Sequence, residues 1–486
     1  MNFKVKDTLT EEEVQKGLKS VIKDGLATQA RVTFTSSIFL VAFALRLGAS
    51  NLIIGLLAAI PPLAQLFQIP AIYLVKKVRK RKIICVYTSA ISRTFWLLIA
   101  LIPFLFDSIG LILLLMALLF NTIFSAISNC SWNSWIRDLI PSNNLGDFFS
   151  KRMSLAMAIG IFLSLTAGFF IDEWKKIFPA YALHGYSILF FMGFIAGMIG
   201  IYFILAIPEP RMIEKKTKFS KLVLQPFKNK NFKNLIAFSG SWSFAVNLAT
   251  PFFTVYMLKM LGLSISFVIM LSVLNQMASL AFLRIWGRLS DSYSNKSVLA
   301  VSSPFFLLCV FAWTFTTMPD KHVLSIPLLI AIHFFMGISL AGVNLASRNI
   351  SLKLAPREQA TSYLATNSII NSISASIAPI IGGGFADFLA NRQINWKITY
   401  SGPEGRYSIP MFSFQQWDFF FIFAFLIGLY SIRRLAIIKE EGEVEKKVVI
   451  NRLVTEIKRP NGLQSLLLIK NKIGKRVVNG VKRRGK

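Results

Sequence analysis

The 486-residue sequence has little of what enzymes, metal sites and secreted proteins usually need. Its three cysteines, Cys85, Cys130 and Cys309, are scattered within apolar stretches, which indicates small core residues rather than disulfides or metal ligands. It has three histidines and neither a Gly-x-Ser-x-Gly elbow nor a Walker loop. We therefore expect no enzyme, no cofactor and no metal site.

Charged residues are also scarce, and acidic residues especially so. Charged residues make up 16% of the chain, and 23 acidic residues face 54 basic ones, a formal net charge of +31. In a soluble protein this imbalance would suggest nucleic acid. Here the basic residues lie mainly between apolar stretches, and no zinc-ligand spacing or RNA-binding signature accompanies them. We expect contact with anionic membrane lipids and no nucleic-acid partner.

Apolar residues are abundant: they form 54% of the chain and include 44 Phe. Stretches of about 20 such residues recur, each long enough to cross a hydrocarbon core of roughly 30 Å. The spans are expected near 30–48, 52–75, 83–106, 109–132, 153–173, 184–207, 234–258, 264–286, 297–318, 323–346, 361–389 and 417–438. The predicted fold is an all-α integral membrane protein with twelve transmembrane helices.

A hydrophilic segment divides these spans into two sets of six. The predicted organisation is a cytoplasmic amphipathic N-terminal segment (1–29), an N-terminal six-helix bundle (30–207), a basic cytoplasmic linker (208–233), a C-terminal six-helix bundle (234–438) and a basic cytoplasmic tail (439–486). Thr10 and Glu13 have capping-box spacing and predict a helix start in the first segment. That helix is either a membrane-surface helix or a solvated lead-in helix.

Orientation follows from the basic residues. If both termini lie inside, most of the 54 basic residues fall on cytoplasmic segments, including the run from Lys76 to Lys82. We therefore expect a multi-pass protein of the plasma (inner) membrane with both termini in the cytoplasm. The outer loop 390–416 is rich in aromatic residues, which favours an interfacial belt over a cap on the cavity. The tail is either a lipid-binding segment or a disordered basic one.

Two polar patterns recur at equivalent places in the two halves. After span four the chain reads Asn133-Ser-Trp-Ile-Arg137-Asp138, and after span ten it reads Asn344-Leu-Ala-Ser-Arg348-Asn349. Span five closes with Gly168-Phe-Phe-Ile-Asp172 and span eleven with Gly383-Gly-Phe-Ala-Asp387. These matches predict two pseudo-symmetric six-helix bundles.

The loop between spans eight and nine reads Gly287-Arg-Leu-Ser-Asp291-Ser-Tyr-Ser-Asn-Lys296. It resembles the signature loop of the major facilitator superfamily. The resemblance implies that Gly287 permits tight helix packing and that Asp291 and Lys296 join a charge network gating the cytoplasmic side. Arg284 and Arg348 are added as charge partners for Asp291. The alternative interpretation is an ordinary polar inside loop.

The first-half counterpart of this loop departs from the pattern. Tyr73 stands where the pattern has Gly, and Lys77 stands where it has Asp. A charge latch in the first half would have to be built differently.

Few ionisable residues are expected at membrane depth. No Asp or Glu lies well inside a predicted span, so a carboxylate for proton coupling has no candidate, although His333 could titrate. Arg93 is the deepest basic residue. It could pair with an anionic substrate, but the superfamily places span three outside the cavity, so a structural arginine bonded to carbonyls is favoured.

The resemblance also implies a central cavity lined chiefly by spans one, four, seven and ten. The candidate cavity residues are Arg46, Gln65, Asn121, Trp242, Asn247, Asn275, His333 and Asn371. Such a mixture suits a neutral polar or amphiphilic solute, and many of these residues could instead hydrogen-bond one helix to another. The expected function is secondary active transport of a small solute across the plasma membrane by alternating access, with or without a coupling ion. The alternatives are a lipid or lysolipid flippase and a non-transporting membrane sensor or scaffold.

Overall fold

The computed structural model describes residue 3 and residues 5–106, 109–140, 145–212, 225–317, 321–356, 359–403 and 405–458. Most of these residues are helical. The helices are α1 (Glu11–Phe34), α2 (Ser37–Arg46), α3 (Asn51–Gln65), α4 (Gln68–Val78), α5 (Arg81–Leu105), α6 (Gly110–Leu139), α7 (Leu145–Ile177), α8 (Ala182–Leu205), α9 (Lys230–Val255), α10 (Ile265–Ser292), α11 (Asn295–Ala312), α12 (Ser325–Leu354), α13 (Ala360–Leu389), α14 (Gln416–Ile437) and α15 (Lys446–Lys458). The strands are β1 (Val5–Lys6), β2 (Glu209–Pro210), β3 (Gln393–Gly402) and β4 (Gly405–Gln415).

Helices α1–α14 form twelve candidate membrane segments in sequence order, if α1 with α2 and α3 with α4 are each counted as one. Within the described ranges, eleven of them are long and apolar enough to cross a membrane. The remaining one is α9, whose polar start and internal serines lower its apolar character. The predicted arrangement of twelve helices in two six-helix bundles is confirmed, with α1–α8 in the N-terminal half and α9–α14 in the C-terminal half.

The first helix is longer than its sequence suggested. The predicted capping box forms, because Thr10 accepts from the Glu13 N–H and the Glu13 carboxylate accepts from the Thr10 N–H. From there α1 continues without a break to Phe34 and packs on α7 and α8. The structure thus differs from the expected surface helix over 1–29 followed by a separate span at 30, since no proline or turn signal interrupts this stretch.

The first two segments are interrupted where the chain leaves helical geometry. The segment α1–α2 breaks at Thr35 and Ser36, and the segment α3–α4 breaks after Pro61 and Pro62. Each proline lacks the N–H that an interior helical position would donate, which weakens the turn that precedes the pair; the helix itself is interrupted at Leu66 and Phe67.

The two halves approach each other closely at one end of the molecule. There the start of α3 packs on the end of α13, and the end of α7 packs on the start of α10. A Cβ at Gly383 would overlap the backbone of Asn51, and one at Gly168 would lie 3.1 Å from Ser266 Cα. These two glycines, both noted in the sequence repeat, permit the approach.

The segment 390–416 is a β-hairpin, not an irregular loop. Strands β3 and β4 pair antiparallel between α13 and α14, and Gly405 has a φ of +125°, which favours glycine at the turn. Alternation along β3 places Ile394, Trp396, Ile398 and Tyr400 in exposed positions. We call this end of the molecule the hairpin face, and the opposite end, with residues 76–82, the basic face.

Part of the basic tail is ordered. Helix α15 packs on α10 and α11, Val449 is buried, and Arg288 Nη1 lies 3.2 Å from Glu456 Oε2. The other parts of the predicted tail (459–486) and linker (213–224) lie outside the described residues. Lipid binding by the tail stays a prediction.

Candidate functional site

A polar cavity of ≈ 420 Å³ lies inside the N-terminal half, between α1 and helices α3–α8. Four charged side chains line it: Asp24, Arg31, Arg93 and Arg152. Uncharged polar side chains complete the wall, among them Gln65, Ser89, Ser92, Ser125, Asn129 and Asn133. Charge at membrane depth is costly unless it is paired, so this cavity is the strongest candidate site in the described structure.

Asp24 is the one carboxylate among the described residues that line the cavity. The residue is 3% exposed, its Oδ1 accepts a hydrogen bond of 3.3 Å from Thr28 Oγ1, and its Oδ2 lies 3.8 Å from Arg152 Nη2. The expectation that no carboxylate lies inside a span was wrong. Because α1 is continuous with the first membrane segment, Asp24 belongs to that segment.

Arg93 lies near the middle of α5 and is 6% exposed. Its Nη1 donates to the Gly197 carbonyl of α8, as expected of a structural arginine. It also lines the cavity beside Asp24: a Cβ at Gly200 would lie 3.3 Å from Asp24 Oδ1 and 3.4 Å from Arg93 Nη1. Span three therefore lines this cavity inside the N-terminal half, because glycines on α8 leave room for both charged groups.

Arg152 enters the cavity from α7. Its Nε donates to the Val21 carbonyl at 3.2 Å, and its guanidinium lies 5.0 Å from the centre of the Trp132 ring. These contacts hold the guanidinium between α1 and α6, with one edge near Asp24.

Arg31 lies two helical turns after Asp24 on α1. A Cβ at Gly197 would lie 3.1 Å from Arg31 Cδ and 3.0 Å from Arg93 Cδ, so both arginines pass over the same glycine. The buried Arg31 Nε has no hydrogen-bond partner in the described structure. A buried guanidinium donor without an acceptor is uncommon, since leaving it unpaired costs free energy.

Besides Arg93 and Cys85, two candidate residues named from the sequence line this cavity. Gln65 comes from the end of α3, and Asn133, first noted in the internal repeat, comes from α6. Arg137 and Asp138, one turn further on, lie outside it, and Asp138 forms an ion pair with the buried Arg81. Arg46 is exposed at the end of α2, far along the chain from the cavity lining.

The remaining candidate cavity residues bond or pack within their own half. Asn121 Nδ2 donates to the Ser92 carbonyl at 2.7 Å and so joins α6 to α5. Asn247 donates to the Ser243 carbonyl of its own helix at 2.7 Å. Trp242 is buried against the rings of Phe238 and Phe306. The contacts of Asn121 and Trp242 favour the helix-to-helix interpretation, whereas the Asn247 bond lies within one helix.

His333 and its neighbours follow the same pattern. His333 is buried, its Nδ1 lies 2.9 Å from the Leu329 carbonyl, and its own carbonyl accepts from Asn275 at 3.2 Å. The Asn371 carbonyl accepts from Ser243 at 3.1 Å. In the described structure these groups lie outside the charged cavity.

Asp24, Arg31 and Arg152 were missed by the sequence reasoning. The uninterrupted helical stretch after Thr10 was a signal for Asp24, since a helix that starts there and meets no breaker carries Asp24 into the first segment. Arg152 lies at the end of a predicted span, where a basic residue ordinarily anchors the helix to the interface.

Two carboxylates join the halves at the hairpin face. Asp172, at the end of α7, accepts from the N–H groups of Ile265 and Ser266 at 3.1 and 2.8 Å. Asp387, at the end of α13, accepts from the N–H groups of Asn51 and Leu52 at 3.0 and 2.8 Å. Each carboxylate therefore caps a helix N-terminus of the other half, where the helix dipole favours negative charge. Both aspartates were noted in the sequence repeat.

A matching pair of caps lies within the halves at the basic face. Glu209 accepts from the Arg81 N–H at 2.5 Å, and Glu440 accepts from the Lys296 N–H at 2.7 Å, so each caps the third helix segment of its own half. Burial raises the pKa of the Glu209 carboxyl, and hydrogen bonds from the Arg81 and Lys82 N–H groups oppose that rise.

The loop that resembles the superfamily signature is not latched in this structure. Asp291 is exposed and forms no ion pair with a described residue, while Arg284 and Arg348 are also exposed. Lys296 Nζ instead lies 2.6 Å from Glu443 Oε2, beyond α14.

Gly287 has open space around it, since a Cβ there would approach no described atom more closely than Leu345 Cδ1, at 3.9 Å. Asn344, which lies four residues before Arg348 on α12, is also exposed.

Among the described residues, no group of three or more His, Cys, Asp and Glu side chains is close enough to hold a metal ion.

The family model of the Major Facilitator Superfamily matches residues 26–379 and 243–430. Among curated proteins, none matches this sequence. The fold is similar to that of the nucleoside transporter NupG (TM-score 0.56, 14% identity, 88% of this chain and 98% of that chain). It is also similar to a D-xylose-proton symporter (0.63, 11%, 89% and 99%) and to a bacterial homolog of the human lysosomal transporter Spinster in an inward-facing, occupied conformation (0.58, 15%, 93% and 96%). At these identities the likeness shows the fold.

Proposed function

Since the chain belongs to the major facilitator superfamily and is a transporter, not an enzyme, we propose that it carries a small solute across the plasma membrane through the polar cavity of its N-terminal half. Transport proceeds by alternating access, in which the two halves close first one face of the membrane and then the other. Both termini lie in the cytoplasm in this proposal, because the basic face carries the run Lys76–Lys82 and helix α15.

The observation that carries the proposal is the pair of carboxylate caps at the hairpin face. Asp172 and Asp387 each bond the backbone of the other half, and Gly168 and Gly383 allow the helices to touch there. With the basic face inside, these contacts seal the outer side. They are reciprocal, so one rocking motion would break both.

The cavity lies toward the opposite face. Asn129 and Asn133 come from the last part of α6, and Arg152 comes from the first part of α7, both at the basic side. A cavity near that side, together with sealed contacts at the hairpin face, supports an inward-open state. The unlatched loop at Asp291 fits this state, because we propose that Gly287, Asp291 and Lys296 gate the cytoplasmic side when the transporter turns outward.

Cross-linking of the outer contact tests alternating access. A Cβ at Gly384 would lie 3.9 Å from Leu52 Cδ1, so side chains at these two positions touch across the halves. The pair Leu52→Cys and Gly384→Cys, in a chain free of Cys85, Cys130 and Cys309, is oxidised, and disulfide formation is scored by the loss of free thiol. In proteoliposomes the disulfide should abolish counterflow of every transported solute, and reduction should restore it.

A second readout does not require a known substrate. A cysteine at position 133 (Asn133→Cys) should react with a membrane-impermeant maleimide from the cytoplasmic side, and the cross-link should increase the labelled fraction. The single variants Leu52→Cys and Gly384→Cys serve as controls. If the cross-link forms but changes neither flux nor labelling, the alternating-access proposal is wrong.

A further inference from the structure

The cavity that we assign to the solute carries more positive than negative charge. Three guanidiniums, those of Arg31, Arg93 and Arg152, face the single carboxylate of Asp24 among its described lining residues. Even if Asp24 neutralises one of them, two positive charges have no acidic partner there. At membrane depth such charges are stable only with a counter-charge or with water.

The geometry shows which guanidiniums are already engaged. Arg93 donates to the Gly197 carbonyl and lies beside Asp24, and Arg152 donates to the Val21 carbonyl with one edge near Asp24. Arg31 Nε is buried and unpaired within the described structure. Arg31 is therefore the guanidinium of this cavity that has no hydrogen bond or ion pair with a described residue.

The glycines of α8 shape the space around these donors. Gly197 and Gly200 lie where any side chain would push into Arg31, Arg93 or Asp24. The charged groups can therefore lie against the α8 backbone, which leaves the cavity of ≈ 420 Å³ for a ligand. That volume is within the usual range of small-molecule sites.

From these observations we propose that the cavity binds a small organic anion through a carboxylate or phosphate group held by Arg31, Arg93 and Arg152. Guanidiniums match both groups because their N–H donors form paired hydrogen bonds to two oxygens. The serines and amides of α5 and α6 then contact the uncharged remainder of the solute. This inference rests on the proposed transport function and names its substrate class.

Ligand-induced thermal stabilisation of the purified full-length protein tests the inference. The probes are succinate for the carboxylate arm, inorganic phosphate for the phosphate arm, and uridine and xylose as neutral solutes, all at one ionic strength set with chloride. We expect saturable stabilisation by at least one anion and none by the neutral solutes. Stabilisation by a neutral solute alone, or by no probe, would overturn the proposal.

Three variants assign the effect to the site. Arg31→Gln should raise the dissociation constant of the stabilising anion by about tenfold or more, because it removes a charged hydrogen bond. Arg31→Lys, which keeps the charge, should lose less, and Arg433→Gln, an exposed arginine of α14, should lose nothing. Unchanged anion affinity in Arg31→Gln contradicts the assignment, and Arg152→Gln replaces that variant if it does not fold.

The two proposals can fail separately. If a neutral solute shows counterflow that the Leu52–Gly384 cross-link blocks, the protein transports but the anion inference is wrong. If the cross-link has no effect on labelling of the cysteine at position 133 while anions still bind, the site is confirmed and the alternating-access proposal is wrong.

Discussion

In the N-terminal half, Asp24, Arg31 and Arg93 meet around a polar cavity, whereas the C-terminal half has aromatic rings in its interior. We call these rings the aromatic cluster; its members are Phe252, Phe253, Tyr256, Trp313, Trp417, Phe420 and Phe421. The rings of Phe253 and Trp313 stack with centroids 4.4 Å apart, and Tyr256 Oη bonds Thr317 Oγ1 at 2.9 Å. Both interiors contain packed aromatic rings, such as Phe43 against Phe190 in the N-terminal half, but the N-terminal half adds a cavity lined by four charged side chains.

The two halves nevertheless share their carboxylate helix caps. Asp172 and Asp387 occupy the same place in each repeat, and so do Glu209 and Glu440. A duplicated backbone has therefore kept its helix caps while its interiors diverged. We infer that solute recognition belongs to the charged half and that the aromatic half supplies a rigid wall against which it moves.

The largest expected effect is at Asp24. Asp24→Asn removes the carboxylate and leaves three guanidiniums together, so we expect a loss of about 3–5 kcal/mol in the free energy of unfolding. Thermal unfolding in detergent, monitored by size-exclusion chromatography, measures it. Arg31→Gln is the matched comparison and should not destabilise the ligand-free protein, because it lowers the surplus positive charge. Equal losses in both variants would show that the cluster acts as a single structural network.

The next largest effect is expected at the two aspartate caps of the outer contact. Asp172→Ala with Asp387→Ala removes both caps of the outer contact, each worth about 1 kcal/mol, so the ratio of inward-open to outward-open molecules should fall by roughly 30-fold. Spin labels on the outer ends of α7 and α10 would report the change as a longer distance. Each single substitution should produce about half of the free-energy change. A double variant with unaltered distances would contradict the gating role.

A smaller effect is expected in the aromatic cluster. Phe253→Leu keeps most of the apolar volume but loses the stacked contact with Trp313, so the free energy of unfolding should fall by about 1–2 kcal/mol. The loss should be independent of ionic strength and of any bound anion. If anion affinity changed with it, the two interiors would not be independent, as sites without shared partners should be.

The smallest effect is expected at Asn247. Among the described residues its amide bonds only the Ser243 carbonyl of its own helix, so Asn247→Ala should change the free energy of unfolding by no more than about 0.5 kcal/mol and leave flux unchanged. Asn121→Ala, which breaks a bond between α5 and α6, should cost more and is the paired measurement. A large loss of flux in Asn247→Ala alone would restore Asn247 as a solute contact.

Features that depend on neighbouring residues in the chain were predicted well. The twelve segments, their division into two sets of six and the start of α1 at Thr10 follow from hydrophobic runs and capping spacing. The repeat marked by Asp172 and Asp387 was also visible, although its meaning was not. Sequence alone could not show that each carboxylate caps a helix from the opposite half.

The charged cavity was decided by tertiary structure. Asp24 and Arg152 lie at segment ends in the sequence, where charges usually face water, and Arg93 was assigned to a helix outside the cavity. Packing of α1 against α7 and α8 brought them together, and the glycines of α8 made room. Hydropathy determines which stretches enter the membrane, because it is summed over many residues. The partner of a single charged residue depends on which helices come together, and only the folded chain determines which helices do.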